Sequence, residues 1–283
     1  MNEQKDILVT GCCGGMGSAI CKKLIEQNYR VFGIDKSITS KNSENFFQYE
    51  CDVTSIESIK NTFNKIKEKT NSLFAIIHTS GIYDLDSLIE IDEEKFNKIF
   101  QVNLFGVYRI NKEFFPLLKN KSRIVITTSE LAPLDPLPFT GLYGITKTAL
   151  EKYAFSLRME LQLLGIKVVV IRPGAVKTSL LNASTTALDK FIENTKNYSC
   201  NAIRFKKIVD SVEAKNILPE KIAQKVLISI SCKNPKFIYN INRNPLLRLL
   251  NILPAKLQVA IIGLILKKWL TKINLQYRYI DYF

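Results

Sequence analysis

Asp6-Ile7-Leu8-Val9-Thr10-Gly11-Cys12-Cys13-Gly14-Gly15-Met16-Gly17 is the stretch whose reading decides the fold. Its first five residues form a short apolar strand, which runs straight into a glycine-rich turn. A helix is predicted next, with Ile20, Leu24 and Ile25 on one side. Residues 29–34 read as a second strand, ending at Asp35. Together these pieces make a βαβ unit of about thirty residues. Glycines in such a turn let the backbone bend tightly and let a pyrophosphate approach the helix N-terminus, whose unbonded N–H groups and dipole favour an anion. An acid at the end of the second strand can accept hydrogen bonds from adenosine ribose hydroxyls, and it repels a 2′-phosphate. The unit points to dinucleotide binding.

The alternation continues down the chain. Residues 46–51 read as a strand closing on Asp52-Val53, and 55–69 as an amphipathic helix with Ile56, Ile59, Phe63 and Ile66 inward. A buried strand at 73–79 ends in His78-Thr79-Ser80-Gly81. Asp92 or a neighbour caps a long helical stretch to about Leu118, with Asn103 in its middle. Residues 123–128 form another buried strand ending at Ser129, and 167–171 a further one that runs into Arg172-Pro173-Gly174. Strands and helices in this order mean an α/β chain with a doubly wound, open parallel sheet covered on both faces. In that architecture ligands bind beyond the carboxyl ends of the strands. Asp35, Asp52, Gly81, Ser129 and Pro173-Gly174 all fall at such ends.

Tyr143 and Lys147 stand four residues apart, one turn apart on the same face of a helix. Leu150, Tyr153, Ala154, Leu157, Leu161 and Leu164 carry an apolar stripe onward from them. A phenol titrates at about pKa 10, too high for ready proton exchange at neutral pH. An ammonium held beside it favours the phenolate and draws that value down. His78 reads as a packed residue near the glycine turn rather than as a base. Cys12 and Cys13 read as small residues that fit the turn, with redox sensitivity as the competing reading.

With these residues in place the chain resembles the short-chain dehydrogenase/reductases over roughly residues 5–240, and within them the hydroxysteroid and retinol dehydrogenase-like branch. The ordered set is T-G-x-x-x-G-x-G at 10–17, Asp35, Asp52-Val53, Asn103, Ser129, Y-x-x-x-K at 143–147 and P-G-x-x-x-T at 173–178. The resemblance implies a Rossmann fold and hydride transfer between a nicotinamide and a small apolar secondary alcohol or ketone. Tyr143 would be the acid/base, Lys147 would hold the nicotinamide ribose and lower the Tyr143 pKa, and Ser129 would bond the substrate oxygen. Asn103 would hold a water that links Lys147 to solvent. Gly11, Gly15, Met16 and Gly17 would cradle the pyrophosphate, Asp35 the ribose, and Asp52 and Val53 the adenine. Gly81, Pro173, Gly174 and Thr178 would border the nicotinamide half. Asp35 favours NAD, while Lys36 directly after it keeps NADP open. A homodimer or homotetramer is implied as well.

Three features depart from the family pattern. The usual Asn-Asn-Ala-Gly reads His78-Thr79-Ser80-Gly81, Ser129 precedes Tyr143 by fourteen positions where thirteen is more usual, and the loop at 130–141 carries Pro133, Pro136 and Pro138. Thr128 is the rival to Ser129. Two other classes stay in view: a cofactor-binding regulatory protein of the same fold, and a basic nucleic-acid binder. The intact Asn103, Ser129, Tyr143 and Lys147 argue against the first.

The second is suggested only by charge. The net charge is +14, and residues 233–283 hold nine Lys/Arg against the single acid Asp281. That excess lies on apolar segments rather than in Arg clusters with exposed aromatics, which speaks against nucleic acid. Six cysteines without a C-x-x-C and a single histidine argue against a zinc site, so no metal is expected, and they fit thiols in a reducing cytosol. The start of the chain leaves this reading no room for a signal peptide. Residues 1–243 are read as the catalytic domain, with a substrate lid at about 180–218 and a last strand at 235–240. Residues 244–283 are read as a basic, apolar C-terminal helical extension, with helices at 245–253 and 255–270. The extension covers the pocket, makes a subunit contact or lies on a membrane surface through 245–272, with Trp269 and Lys267/Lys268 at the headgroups. A cytoplasmic protein, peripheral at a membrane in the last case, is expected.

Overall fold

The computed structural model describes residues 4–38 and 42–267, with 182–185 described for the backbone alone. In chain order the strands are β1 Asp6–Thr10, β2 Arg30–Asp35, β3 Phe46–Glu50, β4 Leu73–His78, β5 Leu118–Thr127, β6 Lys167–Pro173 and β7 Ile238–Ile241. The helices are α1 Gly15–Glu26, α2 Ile56–Lys67, α3 Glu93–Phe100, α4 Gly106–Phe114, α5 Gly141–Leu161, α6 Ser179–Asn194, α7 Ser199–Glu213, α8 Pro219–Ser231, α9 Pro245–Ile252 and α10 Ala255–Leu266. The seven strands form one parallel sheet in the order β3-β2-β1-β4-β5-β6-β7.

The strands are apolar runs because helices bury both their faces. Leu8, Phe32, Ile76 and Ile126 pack with Phe63 of α2, Phe114 of α4 and Leu150 of α5. Val9, Ile77, Val125 and Val169 face the other way, against Ile20 and Leu24 of α1 and Ile222 and Val226 of α8. The chain leaves β1 for β2 on one side and returns to β4 on the other, so the crevice at the carboxyl ends opens between β1 and β4. Thr79, just past β4, closes that crevice at its base by donating its hydroxyl to the Thr10 carbonyl at 2.6 Å.

Several sequence expectations change in detail. The stretch predicted as one helix around Asn103 is broken by a wider π turn at Gln101–Phe105, between α3 and α4. It ends in a 3-10 turn at Phe115–Leu117, and β5 begins there, five residues earlier than expected. The early part of β5 is held by the Ser122 hydroxyl, which donates to the Leu73 carbonyl at 2.7 Å. Ile56 is not inward but 56% exposed, because it is the first residue of α2, immediately after the Ser55 cap. Leu164 is exposed too, since α5 stops at Leu161 and Gly165 turns the chain at φ +71°.

The C-terminal helices fasten onto the wall of the site. Leu266 of α10 is buried with Phe139, Phe191 and Phe205, whose rings meet at centroid distances of 4.8 and 5.5 Å. Gln258 donates to the Asp135 carboxylate at 3.0 Å, and Asn251 accepts the Asp135 N–H at 2.6 Å. The second of these helices ends at Leu266 rather than Leu270; Lys268 and Trp269 lie outside the described residues. No helix among the described residues is long and apolar enough to cross a membrane.

His78 is buried at the end of β4, where its Nε2 lies 2.8 Å from Asn111 Oδ1. Burial pushes its pKa down to about 4 despite that bond. The folded value lies below the unfolded one, so the unfolded chain binds the extra proton. Stability tied to His78 is complete above pH of about 6.5 and falls as pH drops toward about 4, by about 3 kcal/mol in all. His78→Gln should flatten that part of the pH–stability curve in urea titrations; an unchanged slope would show that His78 is not the group titrating.

Candidate functional site

The glycine-rich turn is built by close approach. Gly11 takes φ +70°, and a Cβ on it would stand 2.7 Å from the Ser80 amide nitrogen. A Cβ on Gly17 would come within 1.9 Å of the Gly11 carbonyl oxygen, so α1 can begin directly on the turn only with glycine there. No side chain caps α1 and no acid stands in its first turn, which leaves its positive end open to an anion. Thr178, the cap residue before α6, lies over Gly15, where a Cβ would meet its Cγ2 at 2.7 Å.

Asp35 stands at the end of β2 and reaches back to the turn. Its Oδ2 accepts the Cys13 N–H at 2.9 Å and its Oδ1 accepts the Lys36 N–H at 2.8 Å. The Lys36 ammonium turns away and pairs with Asp52 at 3.0 Å. Burial works to raise the Asp52 carboxyl, but bonds from Thr54 and the Lys36 charge outweigh it and hold it at about 2. Val53 packs beside Gly106 at the start of α4, where a Cβ would meet its Cγ2 at 2.9 Å.

At the other end of the crevice, Ser129, Tyr143 and Lys147 meet. The Ser129 hydroxyl accepts the Leu131 N–H at 3.2 Å and acts on the Tyr143 phenol, pulling its pKa downward. Thr128, the rival, turns toward Glu151 and the Ile171 carbonyl, at 3.4 Å from each. Lys147 Nζ donates to the Thr127 carbonyl at 3.2 Å and sits 5.6 Å from the centre of the Tyr143 ring. Asn103, fully buried in the π turn, clamps Ile82 from both sides. Its Oδ1 accepts the Ile82 N–H at 2.8 Å and its Nδ2 donates to the Ile82 carbonyl at 2.9 Å. The same amide donates to Thr146 at 3.2 Å. This fixes Gly81, where a Cβ would lie 3.3 Å from Asn103 Oδ1 and 3.6 Å from Lys147 Nζ.

The electrostatics differ from the simple expectation for a Tyr–Lys pair. Burial pushes Tyr143 up to about 12, against the opposing pull of the Ser129 hydroxyl, and pushes Lys147 down to about 8. Desolvation by the surrounding protein sets the direction of both shifts. Met16, Gly81, Ser129, Tyr143, Lys147, Pro173, Gly174 and Thr178 line one cavity of about 170 Å³, whose other wall is apolar: Ile82, Leu131, Leu181, Phe205, Val209 and Leu247. Asp35, Asp52 and Val53 stand outside it, at the β2 and β3 side of the turn.

Sequence reasoning missed some contributors. Glu130 is buried, its pKa raised by that burial, and its Oε2 accepts the Asn244 N–H at 2.6 Å, fastening α9 beside the site. The Tyr83 ring packs edge-on against Tyr143 at 4.4 Å. Thr127 Oγ1 is buried without a hydrogen-bond partner beside Lys147. No local pattern signals these; Glu130 and Asn244 lie 114 positions apart.

The buried Lys147 carries a stability cost. Its folded pKa lies below the ordinary value, so the unfolded chain holds the extra proton between about pH 8 and about pH 10.5. The cost is complete below pH of about 8 and fades as pH rises through that window. Lys147→Met should therefore be more stable than the wild type at pH 7, by up to about 3 kcal/mol in urea unfolding. The gap should close near pH of about 10.5. A variant no more stable at pH 7 would contradict this.

The glycine turn open to an anion, the acid at the β2 end and the buried amine at Gly81 fit a dinucleotide laid across the crevice. Comparison with known proteins gives the family. The short chain dehydrogenase family model matches residues 5–189. Estradiol 17-beta-dehydrogenase 2 of Mus musculus is 29% identical over 84% of this chain and 68% of its own length. The uncharacterized oxidoreductase YbbO of Escherichia coli is 30% identical over 83% of this chain and 85% of its own. A short chain dehydrogenase family protein from Francisella tularensis superposes with TM-score 0.68 at 24% identity, over 84% of this chain and 97% of that one. The chain belongs to the short-chain dehydrogenase/reductase family and is an oxidoreductase that acts on CH–OH donors with NAD or NADP.

Proposed function

We propose that this protein interconverts a secondary alcohol and a ketone on an apolar substrate, with NAD(H) as partner. The observation that carries the proposal is the Ser129–Tyr143–Lys147 group at the head of a cavity with one apolar wall, Glu130, Glu213 and several threonines completing the lining. When bound, the nicotinamide supplies the hydride acceptor or donor. Tyr143 holds the proton that leaves or joins the substrate oxygen, and Ser129 donates a hydrogen bond to that oxygen. Lys147 bonds the nicotinamide ribose, and its ammonium favours the phenolate of Tyr143 as charge develops there. Asn103 keeps Ile82 and Thr146 fixed around Lys147.

Gly11, Gly15, Met16 and Gly17 hold the pyrophosphate, Asp35 the adenosine ribose, and Asp52 and Val53 the adenine. Pro173, Gly174 and Thr178 border the nicotinamide. NAD is favoured over NADP because a 2′-phosphate would meet the Asp35 carboxylate, and Lys36, the next residue, is engaged by Asp52. An apolar substrate is supported by the cavity walls and by the steroid in the name of the mouse relative. Exposed Phe105 and Tyr108 near α4, with Phe155 and Met159 on α5, support a homodimer or homotetramer.

The extension serves the same reading twice over. Leu247 of α9 lines the cavity, while Leu246, Leu249 and Ile252 of the same helix and Leu257, Val259 and Leu264 of α10 are exposed. Arg243, Arg248, Lys256 and Lys267 stand among them. An apolar surface with basic residues around it suits an anionic membrane. A lipophilic substrate would then reach the cavity from the bilayer side.

Tyr143→Phe should lower kcat on a panel of secondary alcohols by about 10²–10⁴-fold. NADH affinity in the same variant should change little. Turnover that survives the substitution would remove Tyr143 from the chemistry. The protein should also float with phosphatidylserine-containing liposomes at low salt, and Leu249→Asp/Val259→Asp should abolish flotation. A wild type that stays in the aqueous fraction would end the membrane part of the reading.

A further inference from the structure

We propose that Cys12, Cys13 and Asp35 form a binding site for a thiophilic divalent cation such as Zn²⁺, and that the ion closes the nucleotide site. The sequence reading set zinc aside because no C-x-x-C occurs. The fold supplies what linear spacing hides, by bringing the end of β2 across the turn onto an adjacent cysteine pair.

The two sulfurs stand 3.7 Å apart, and both lie within 4.8 Å of an Asp35 carboxylate oxygen. For tetrahedral zinc with Zn–S bonds of about 2.3 Å, the sulfur–sulfur edge is about 3.8 Å. The pair is therefore spaced to share one ion with little movement. Asp35 is already oriented, since its two oxygens accept the Cys13 and Lys36 N–H groups at 2.9 and 2.8 Å. Gln48 Nε2 lies 3.6 and 3.5 Å from the two sulfurs and holds them from one side. Cys12 is buried, whereas Cys13 and Asp35 are partly exposed, which gives the ion a path in from solvent. A cavity lined by Cys12, Cys13, Cys21 and Gln48 adjoins the pair and has room for a water as fourth ligand.

Binding converts both thiols to thiolates and sends two protons to solvent; the carboxylate enters already ionised and nothing is oxidised. Two thiolates and one carboxylate against a divalent cation leave one net negative charge at the turn. The ion also takes the Asp35 carboxylate that the proposed function gives to the adenosine ribose. Metal and NADH then exclude each other, a clause that rests on that reading of Asp35.

The test begins with Co²⁺ added to reduced protein in a Cys200→Ser/Cys232→Ser background, which removes the two exposed thiols. One equivalent should produce a thiolate-to-cobalt absorption band in the near ultraviolet. Cys13→Ser and Asp35→Asn should each weaken Co²⁺ binding by at least about tenfold. In the wild type, Zn²⁺ should protect Cys13 from alkylation, a result that does not depend on how any variant folds. At tenfold over its own Kd, Zn²⁺ should raise the apparent Kd for NADH about elevenfold, and Cys13→Ser should relieve this. No cobalt band, or a band and protection pattern indifferent to Cys13, would overturn the site. If metal-free protein fails to bind NADH while the band appears, the nucleotide reading fails and the metal site stands.

Discussion

The arrangement depends on a steric constraint at the centre of the sheet. The chain leaves β1 toward β2 and comes back to β4, so β1 and β4 are neighbours whose connections diverge. Gly11 lets the turn after β1 sit against Ser80, and Gly17 lets α1 begin on that turn. The Thr79 hydroxyl then ties the two strand ends at 2.6 Å. Thr79 thus gives the altered His78-Thr79-Ser80-Gly81 segment a bond across the crevice from its own side chain. A larger residue at Gly11 or Gly17 would force backbone apart, and every group beyond the strand ends would move with it.

A second constraint is electrostatic. Tyr143 and Lys147 are buried deeply enough that each is pushed toward its neutral form, the phenol to about 12 and the amine to about 8. Such a pair costs the fold stability, and stabilisation of charge at the site lowers the Tyr143 value while it raises the Lys147 value, favouring phenolate beside ammonium as the proposed proton transfer requires. The surrounding protein holds the geometry while this happens. Asn103 clamps Ile82 and Thr146, Ser129 accepts the Leu131 N–H, and Glu130 ties Asn244 and the extension to the same loop. The Ser129–Tyr143 end of the cavity and its apolar wall are thereby fastened to one segment.

What could be read in advance was whatever a local pattern encodes. Strands buried on both faces appear as unbroken apolar runs, so β1, β4 and β6 were placed to within a residue or two, and the residues at their carboxyl ends identified the crevice. The π turn was invisible, because an inserted residue leaves an amphipathic pattern nearly intact; it is the reach of Asn103 to Ile82 that marks it. Ile56 and Leu164 misled because a helix has ends, and its first and last apolar residues can face outward. The Glu130–Asn244 bond and the approach of Asp35 to Cys12-Cys13 depend on tertiary return of the chain, which no spacing rule records. The direction of the Tyr143 shift depended on the depth of burial, which is likewise a property of the fold.

The central claim is that Asp35 and the glycine turn bind NAD(H) across the β1/β4 crevice. Fluorescence titration of wild type and Asp35→Ala with NADH and NADPH tests it most directly. The wild type should bind NADH more tightly than NADPH. Asp35→Ala should lose at least about tenfold in NADH affinity, about 1.4 kcal/mol, and narrow the gap between the two nucleotides. Folded protein that binds neither nucleotide, or that prefers NADPH, would contradict it.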